Sequence, residues 1–315
     1  MPRSLLAVAI ALLALTAHPS RAAADTILLV VGDSSAFGET NRTRDPSNGD
    51  RGYAAPFADY LAGQNGGVRP TVINTAINGE TTKSFFTGQV ADRDSLDGIT
   101  LNSRYAGFAP NYPSQHDYVI NTILNQIAAG NDIRNVTVQL GANDLSKTAE
   151  TPGFLSLTPT EQYALIGSTF AAVAQNEAQL LGEVRALLPT ANVYAIGYHN
   201  PYGGTPDHPF YALSAPAVQG LDGVIAQIAV PFGATYVDFY SPIVGREREL
   251  TFIDTWQTDP INNVHLNAQG YQIEAQQLIN ASRPVPAPPS VVLAAAGALI
   301  LFSSRLRSRR QTCPC

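Results

Sequence analysis

Five short runs rich in branched aliphatics, each followed by a longer amphipathic stretch, leave few architectures open to this 315-residue chain. The strand candidates are Thr26–Val31, Thr71–Thr75, Asn135–Leu140, Asn192–Tyr198 and Thr235–Asp238. Helices are expected over Ala54–Gly63, Ser114–Ala129, Pro159–Leu188, Ala215–Val230 and Asn267–Ala281. Two helix starts are legible. Ser114 and Thr158 each stand three residues before an acid, Asp117 and Glu161, and Pro159 suits a first helical position. Strict alternation of strand and helix argues for a parallel sheet with helices on both faces and right-handed crossovers.

Both ends of the chain lie outside this pattern. Arg3, the apolar run Leu5 to Leu15 and Arg21-Ala22-Ala23-Ala24 have the three parts of a secretory signal peptide, with cleavage expected after Ala24. At the other end Pro284 to Pro289 is a stiff spacer, Val291 to Phe302 is apolar, and Arg305, Arg307, Arg309 and Arg310 follow. An apolar segment before a basic tail reads as membrane-inserted with the tail in the cytoplasm. The expected layout is a signal peptide (1–24), one folded domain (25–282), a spacer (283–290), an anchor segment (291–304) and a basic tail (305–315). The folded part then lies outside the cytoplasm, in the envelope or beyond it. The formal charge of −6 and the lack of a basic stripe give no sign of nucleic-acid binding. Both cysteines, Cys313 and Cys315, lie in the tail, so the domain has no disulfide, cysteine nucleophile or cysteine metal site. No His-x-x-x-His, P-loop or dinucleotide fingerprint is present, and no cofactor is expected.

Four separated segments carry complementary chemistry. Gly32-Asp33-Ser34 closes the first strand, and Asn74 to Thr82 follows the second. Gly141-Ala142-Asn143-Asp144 follows the third, and Asn262-Asn263-Val264-His265 precedes the last helix. A serine at the carboxyl end of the first strand faces the crevice where open α/β sheets bind ligands. Taken alone, Ser34 is equally an acyl-transfer nucleophile or a helix-capping serine. Acyl transfer needs an attacking hydroxyl, a base and donors for the oxyanion. Ser34, His265, the backbone N–H of Gly79 and the amide of Asn143 can supply them.

In their order and their placement on the strands, the four segments resemble the blocks of the SGNH hydrolase superfamily, also called the GDSL esterase/lipase family. The resemblance covers nearly the whole domain. It implies a flavodoxin-like three-layer α/β/α sandwich with a five-stranded parallel sheet. It also implies Ser34 as nucleophile and His265 as general base. The oxyanion hole would be the N–H of Ser34, the N–H of Gly79 and the amide of Asn143. One departure is plain: the family writes the last block Asp-x-x-His, and here that position is Asn262. Asp259, or else Asp254, is then expected to orient His265; otherwise a main-chain carbonyl leaves a Ser-His dyad, or turnover is weak. The C-terminal tail resembles the PEP-CTERM class of bacterial sorting signals, which implies an exosortase-type processing enzyme as partner. That class usually has Val-Pro-Glu-Pro, where this chain has Val285-Pro286-Ala287-Pro288.

The leading expectation is an exported serine hydrolase that cleaves carboxylic esters through an acyl-serine. The alternative is an envelope binding or matrix protein that keeps the scaffold without turnover. A small ester, a lipid or an acylated polysaccharide would be the substrate. Asp33 is expected to hold the turn at Ser34, and Asp144 to brace its own loop. His199 is expected to line the same cleft, with His208 in a surface loop and His116 solvated. Lys83–Pro113 is expected to be a long irregular loop, either a lid over the site or a loop packing its own aromatics. Asp45 to Asp50 lacks calcium-loop spacing and is expected to be a turn.

Overall fold

The computed structural model describes residues 25–38, 52–92, 112–255 and 264–283. The signal peptide, the C-terminal tail, the Asp45–Asp50 turn, Tyr105, Phe108, Asp259 and Asn262 lie outside the described residues.

Along the chain the elements are β1 (Thr26–Gly32), α1 (Ser34–Phe37), α2 (Ala54–Gln64), β2 (Thr71–Asn74) and α3 (Thr82–Thr87). Next come α4 (Gln115–Ala128), β3 (Asp132–Gln139), α5 (Ala142–Ala149), α6 (Pro159–Leu187) and β4 (Asn192–Ile196). The chain continues with α7 (Tyr211–Ala229), β5 (Thr235–Val237), α8 (Glu247–Leu250) and α9 (Ala268–Ser282). The strands form one parallel sheet in the order β2-β1-β3-β4-β5. The chain runs from β1 outward to β2, then crosses back past β1 to β3. Where the order reverses, the carboxyl ends of β1 and β3 are level, with Gly32 paired to Gln139. Open α/β sheets leave their binding crevice at that point.

Alternate residues of β1 serve two cores, as the two-residue period of a strand requires. Ile27, Leu29 and Val31 pack with Val119 and Ile123 of α4 and Leu180, Leu181 and Val184 of α6. Leu28 and Val30 pack with Phe57 and Leu61 of α2 and Ala275 and Leu278 of α9. The result is the expected three-layer α/β/α arrangement.

Several boundaries differ from expectation, each for a physical reason. β3 begins at Asp132 rather than Asn135, because the β1 register skips Arg134, pairing Ile27 with Ile133 and Leu28 with Asn135. The polar Asp132 and Arg134 hid that first part of the strand. β4 ends at Ile196, since the Tyr198 N–H turns away to the Asp222 carboxylate at 2.9 Å. α7 begins a turn before Ala215, so Pro216 lies inside the helix and removes one backbone bond there. Both anticipated caps form: the Ser114 side chain accepts from the Asp117 N–H, and Thr158 with Glu161 makes a reciprocal capping box. Lys83–Pro113 is not irregular at its start, where α3 and a short 3₁₀ turn at Val90–Asp92 form. Phe85 is fully buried against Phe86 and His116, which favours packing over a lid for this part of the segment. His116 is not simply solvated, because its ring also meets the Glu183 carboxylate. His208 is half-buried, stacked on the Tyr202 ring.

Candidate active site

β1 delivers Ser34 through a turn that only glycine permits. Gly32 has a φ of 154°, and a Cβ there would lie 2.3 Å from the Gln139 carbonyl oxygen and 2.6 Å from the Ala36 Cβ. The turn is held by Asp33, whose N–H donates to the Gln139 carbonyl at 3.1 Å. Its carboxylate caps α1, with Oδ1 accepting from the Ser35 N–H at 2.9 Å and Oδ2 from the Tyr198 hydroxyl at 2.7 Å. Burial pushes the Asp33 carboxyl up to about 7, against the opposing pull of the Tyr198 and Ser35 donors. Ser34 is therefore the first helical residue, where an N–H has no carbonyl within its own helix to bond. Asp33 holds the Ser34 turn as expected.

The loop after β2 comes back to the same edge. The Ile77 N–H donates to the Gly32 carbonyl at 2.9 Å, and Gly79 takes a φ of 69° in the turn that follows. From the next strand, α5 clamps this loop. Asn143 Nδ2 donates to the Glu80 carbonyl at 3.0 Å. Asp144 accepts from the Thr82 N–H at 2.8 Å and from the Thr82 hydroxyl at 2.7 Å. Asn176 Nδ2 on α6 donates to the same hydroxyl at 3.0 Å. Asp144 thus braces two loops rather than one. Burial raises its carboxyl to about 6, in opposition to the Thr82 bonds.

His265 is buried just before α9. Its backbone is fixed by the Phe252 N–H, which donates to the His265 carbonyl at 3.1 Å, and by an antiparallel bridge between Thr251 and Leu266. His199, after β4, donates from Nε2 to the Val264 carbonyl at 2.9 Å. A carbonyl only accepts, so the Nε2 carries the proton. Burial lowers the His199 pKa to about 4, and charge on His265 pushes the same way. His199 is consequently neutral near neutral pH and holds the His265 segment.

Ser34, Asn143, His199 and His265 line one cavity of about 270 Å³. Gly79 does not line it but is buried one residue from the carbonyl that Asn143 holds. Asp254 does not line it either; it is exposed and pairs with Arg248 Nη1 at 3.2 Å. Among the described residues no cluster of three or more His, Cys, Asp or Glu side chains is placed to hold a metal ion.

Two features escaped the sequence reading. Tyr198 reads in the sequence as a strand residue, yet its hydroxyl is the partner of Asp33. Gln115 donates both to the Gly32 carbonyl at 2.9 Å and to the Thr75 carbonyl at 2.8 Å, tying β1 to β2 beside the site. Its position directly after the capping Ser114 was the available signal, since a side chain there is carried to the strand ends.

Comparison with known proteins agrees with this architecture. Residues 30–273 match the family model described as GDSL-like Lipase/Acylhydrolase. No curated protein matches the sequence. Among solved structures, the chain is similar to the lipase Lip_vut3 from a goat rumen metagenome, with 16% identity and a TM-score of 0.55 over 82% of this chain and 97% of that one. It is also similar to a mutant of Axe2, an acetyl-xylooligosaccharide esterase from Geobacillus, with 16% identity and a TM-score of 0.51 over 84% and 97%. At these identities the likeness is one of fold.

Proposed function

This chain belongs to the GDSL-like lipase/acylhydrolase family, and from that footing we propose that it hydrolyses carboxylic esters through an acyl-Ser34 intermediate, outside the cytoplasm. The observation that carries the proposal is the convergence of Ser34, Asn143 and His265, from three distant segments, on one cavity at the switch point of the sheet. Ser34 Oγ attacks the ester carbonyl carbon while its proton passes to His265. The carbonyl oxygen, now an oxyanion, meets the Ser34 N–H, the Gly79 N–H and one hydrogen of the Asn143 amide. The other hydrogen of that amide stays on the Glu80 carbonyl. His265 returns its proton to the departing alcohol. Water then attacks the acyl-serine with His265 again as base, and the carboxylic acid leaves.

His265 also needs an acceptor for its far nitrogen. Asn262 stands where the family carries aspartate, so we assign that role to Asp259 or to a main-chain carbonyl. The chain needs no cofactor for these steps. Export follows from the signal peptide, and the tail would hold the protein at the membrane until an exosortase-type enzyme cuts it.

Hydrolysis of p-nitrophenyl butyrate tests the reading. Ser34→Ala is expected to lower kcat at least about 10³-fold, and Asn143→Ala about 10²–10³-fold. Asp259→Ala is expected to lower it about 10⁴-fold if that carboxylate orients His265, and little if a carbonyl does. Folded wild-type protein that turns over no ester would favour the binding-protein reading instead. Mass spectrometry of protein from the envelope fraction is expected to find Asp25 at the amino terminus; intact Met1 in the cytoplasm would contradict export.

A further inference from the structure

We infer that the site selects esters of medium-length aliphatic acids, an inference that rests on the proposed acyl-Ser34 chemistry and adds the substrate class. The cavity lining has two unlike parts. One part holds Ser34, Asn143 and His265. The other is walled by Leu145 of α5, Phe154, Ile166 of α6, and Leu213, Val218 and Leu221 of α7. Leu221 is fully buried, and its two methyls would lie 3.1 and 3.6 Å from a Cβ placed on Gly141, so this apolar wall packs directly against the backbone two residues before Asn143.

The polar groups near that apolar part are few or already engaged. The Ser214 hydroxyl donates to the Tyr211 carbonyl at 3.2 Å, and Glu150 is paired with Lys147 at 3.6 Å. Among the described residues no lysine or arginine lines the cavity. A sugar would leave its hydroxyls against hydrocarbon there, and an unpaired buried hydroxyl is costly. An alkyl chain leaves nothing unpaired.

The alkyl chain belongs to the acid rather than the alcohol. On α5, Ala142, Leu145 and Ala149 recur at intervals of three and four and all face the cavity. The apolar wall therefore starts on the helix whose Asn143 receives the carbonyl oxygen. The acyl group also stays bound through both chemical steps, whereas the alcohol must leave before water can enter. A pocket walled by apolar core suits the part that stays. A cavity of about 270 Å³ falls just short of the roughly 300–1,000 Å³ of pockets that enclose drug-sized ligands. That size suits an acyl chain of medium length better than palmitoyl.

The test is the chain-length profile of kcat/KM for p-nitrophenyl acetate, octanoate and palmitate on the purified full chain. Each buried methylene is worth up to about fourfold, so octanoate is expected to exceed acetate by at least about tenfold and to exceed palmitate. Ala217→Phe on α7 and, from the facing wall, Ala149→Phe on α5 project into the cavity and are each expected to lower the octanoate-to-acetate ratio at least about tenfold, with folding followed by circular dichroism. Calorimetry with octanoate and acetate, on wild type and Ala217→Phe, reads the pocket without turnover. Octanoate binding that Ala217→Phe abolishes supports the pocket even if no ester is hydrolysed, in which case only the proposed hydrolysis falls. Preference for acetate, or no octanoate binding, overturns the pocket and leaves the Ser34 chemistry standing.

Discussion

At the scale of single residues, the candidate site is held by acceptors and donors that join its loops. Asp33 fixes the Ser34 turn, Asp144 fixes Thr82, and Asn143 fixes the Glu80 carbonyl. Together they tie the β1, β2 and β3 loops into one unit, so the Gly79 N–H and the Asn143 amide move as a pair. Asp144→Ala removes that tie. It also leaves the N–H of Thr82, a fully buried residue, without its acceptor, and such a loss costs about 1–3 kcal/mol. The expected outcome is a urea midpoint shifted down by that amount and a kcat that falls more than KM rises. Asp144→Asn, which can still accept from one Thr82 donor, is expected to recover part of both. Unchanged kcat in Asp144→Ala would mean that the brace has no bearing on the proposed oxyanion donors.

At the scale of elements, the parallel sheet and its long helices were legible because they bury whole faces. The continuous apolar run of β1 marks a strand buried on both faces, and the capped start and length of α6 mark a helix. Short elements were not legible. α3 is capped by Thr81 with Ser84 in place of the usual Glu or Gln, so the signature did not stand out. α1 spans only four residues, Ser34–Phe37, too few to show a period. Ser34, Asn143 and His265, singled out from separate motifs, line one cavity; the residues that support them were illegible. Tyr198 and Gln115 act across the fold on residues far away in sequence, and spacing cannot reveal such partners. Gln115 carries the clearest test at this scale. Its amide supplies the Gly32 and Thr75 carbonyls with buried donors, so Gln115→Leu takes that donor from the Thr75 carbonyl and leaves the Gly32 carbonyl with the Ile77 N–H alone. A loss of about 1–3 kcal/mol in stability is expected by denaturant titration, with hydrogen exchange accelerated at the ends of β1 and β2. No change in either would mean that the switch point is held by the sheet alone.

At the scale of the whole molecule, the buried carboxyls set the pH response. Asp33 and Asp222 are pushed up to about 7 and Asp144 to about 6, each chiefly by burial. Glu177 and Glu274 are raised in the same way. A carboxyl with a folded value above its unfolded one binds more protons in the folded state, so its stabilisation is complete below about pH 4 and is lost as pH rises towards 7. His199, lowered to about 4, works in the opposite sense, adding stability as pH rises from about 4 to 6.5. Several carboxyls oppose one imidazole, so the melting temperature is expected to fall between pH 5 and pH 8, and less steeply in Asp33→Asn. A melting temperature that rises over that range would show these carboxyls to be better solvated than their burial indicates. The account as a whole rests on Ser34 being an activated nucleophile set among donors and a base. The most direct measurement is labelling of the purified protein with a fluorophosphonate, with the modified residue located by peptide mass spectrometry. The account predicts one stoichiometric adduct on Ser34, absent in Ser34→Ala and much slower to form in His265→Ala. An adduct on another serine, or none on folded protein, would contradict it.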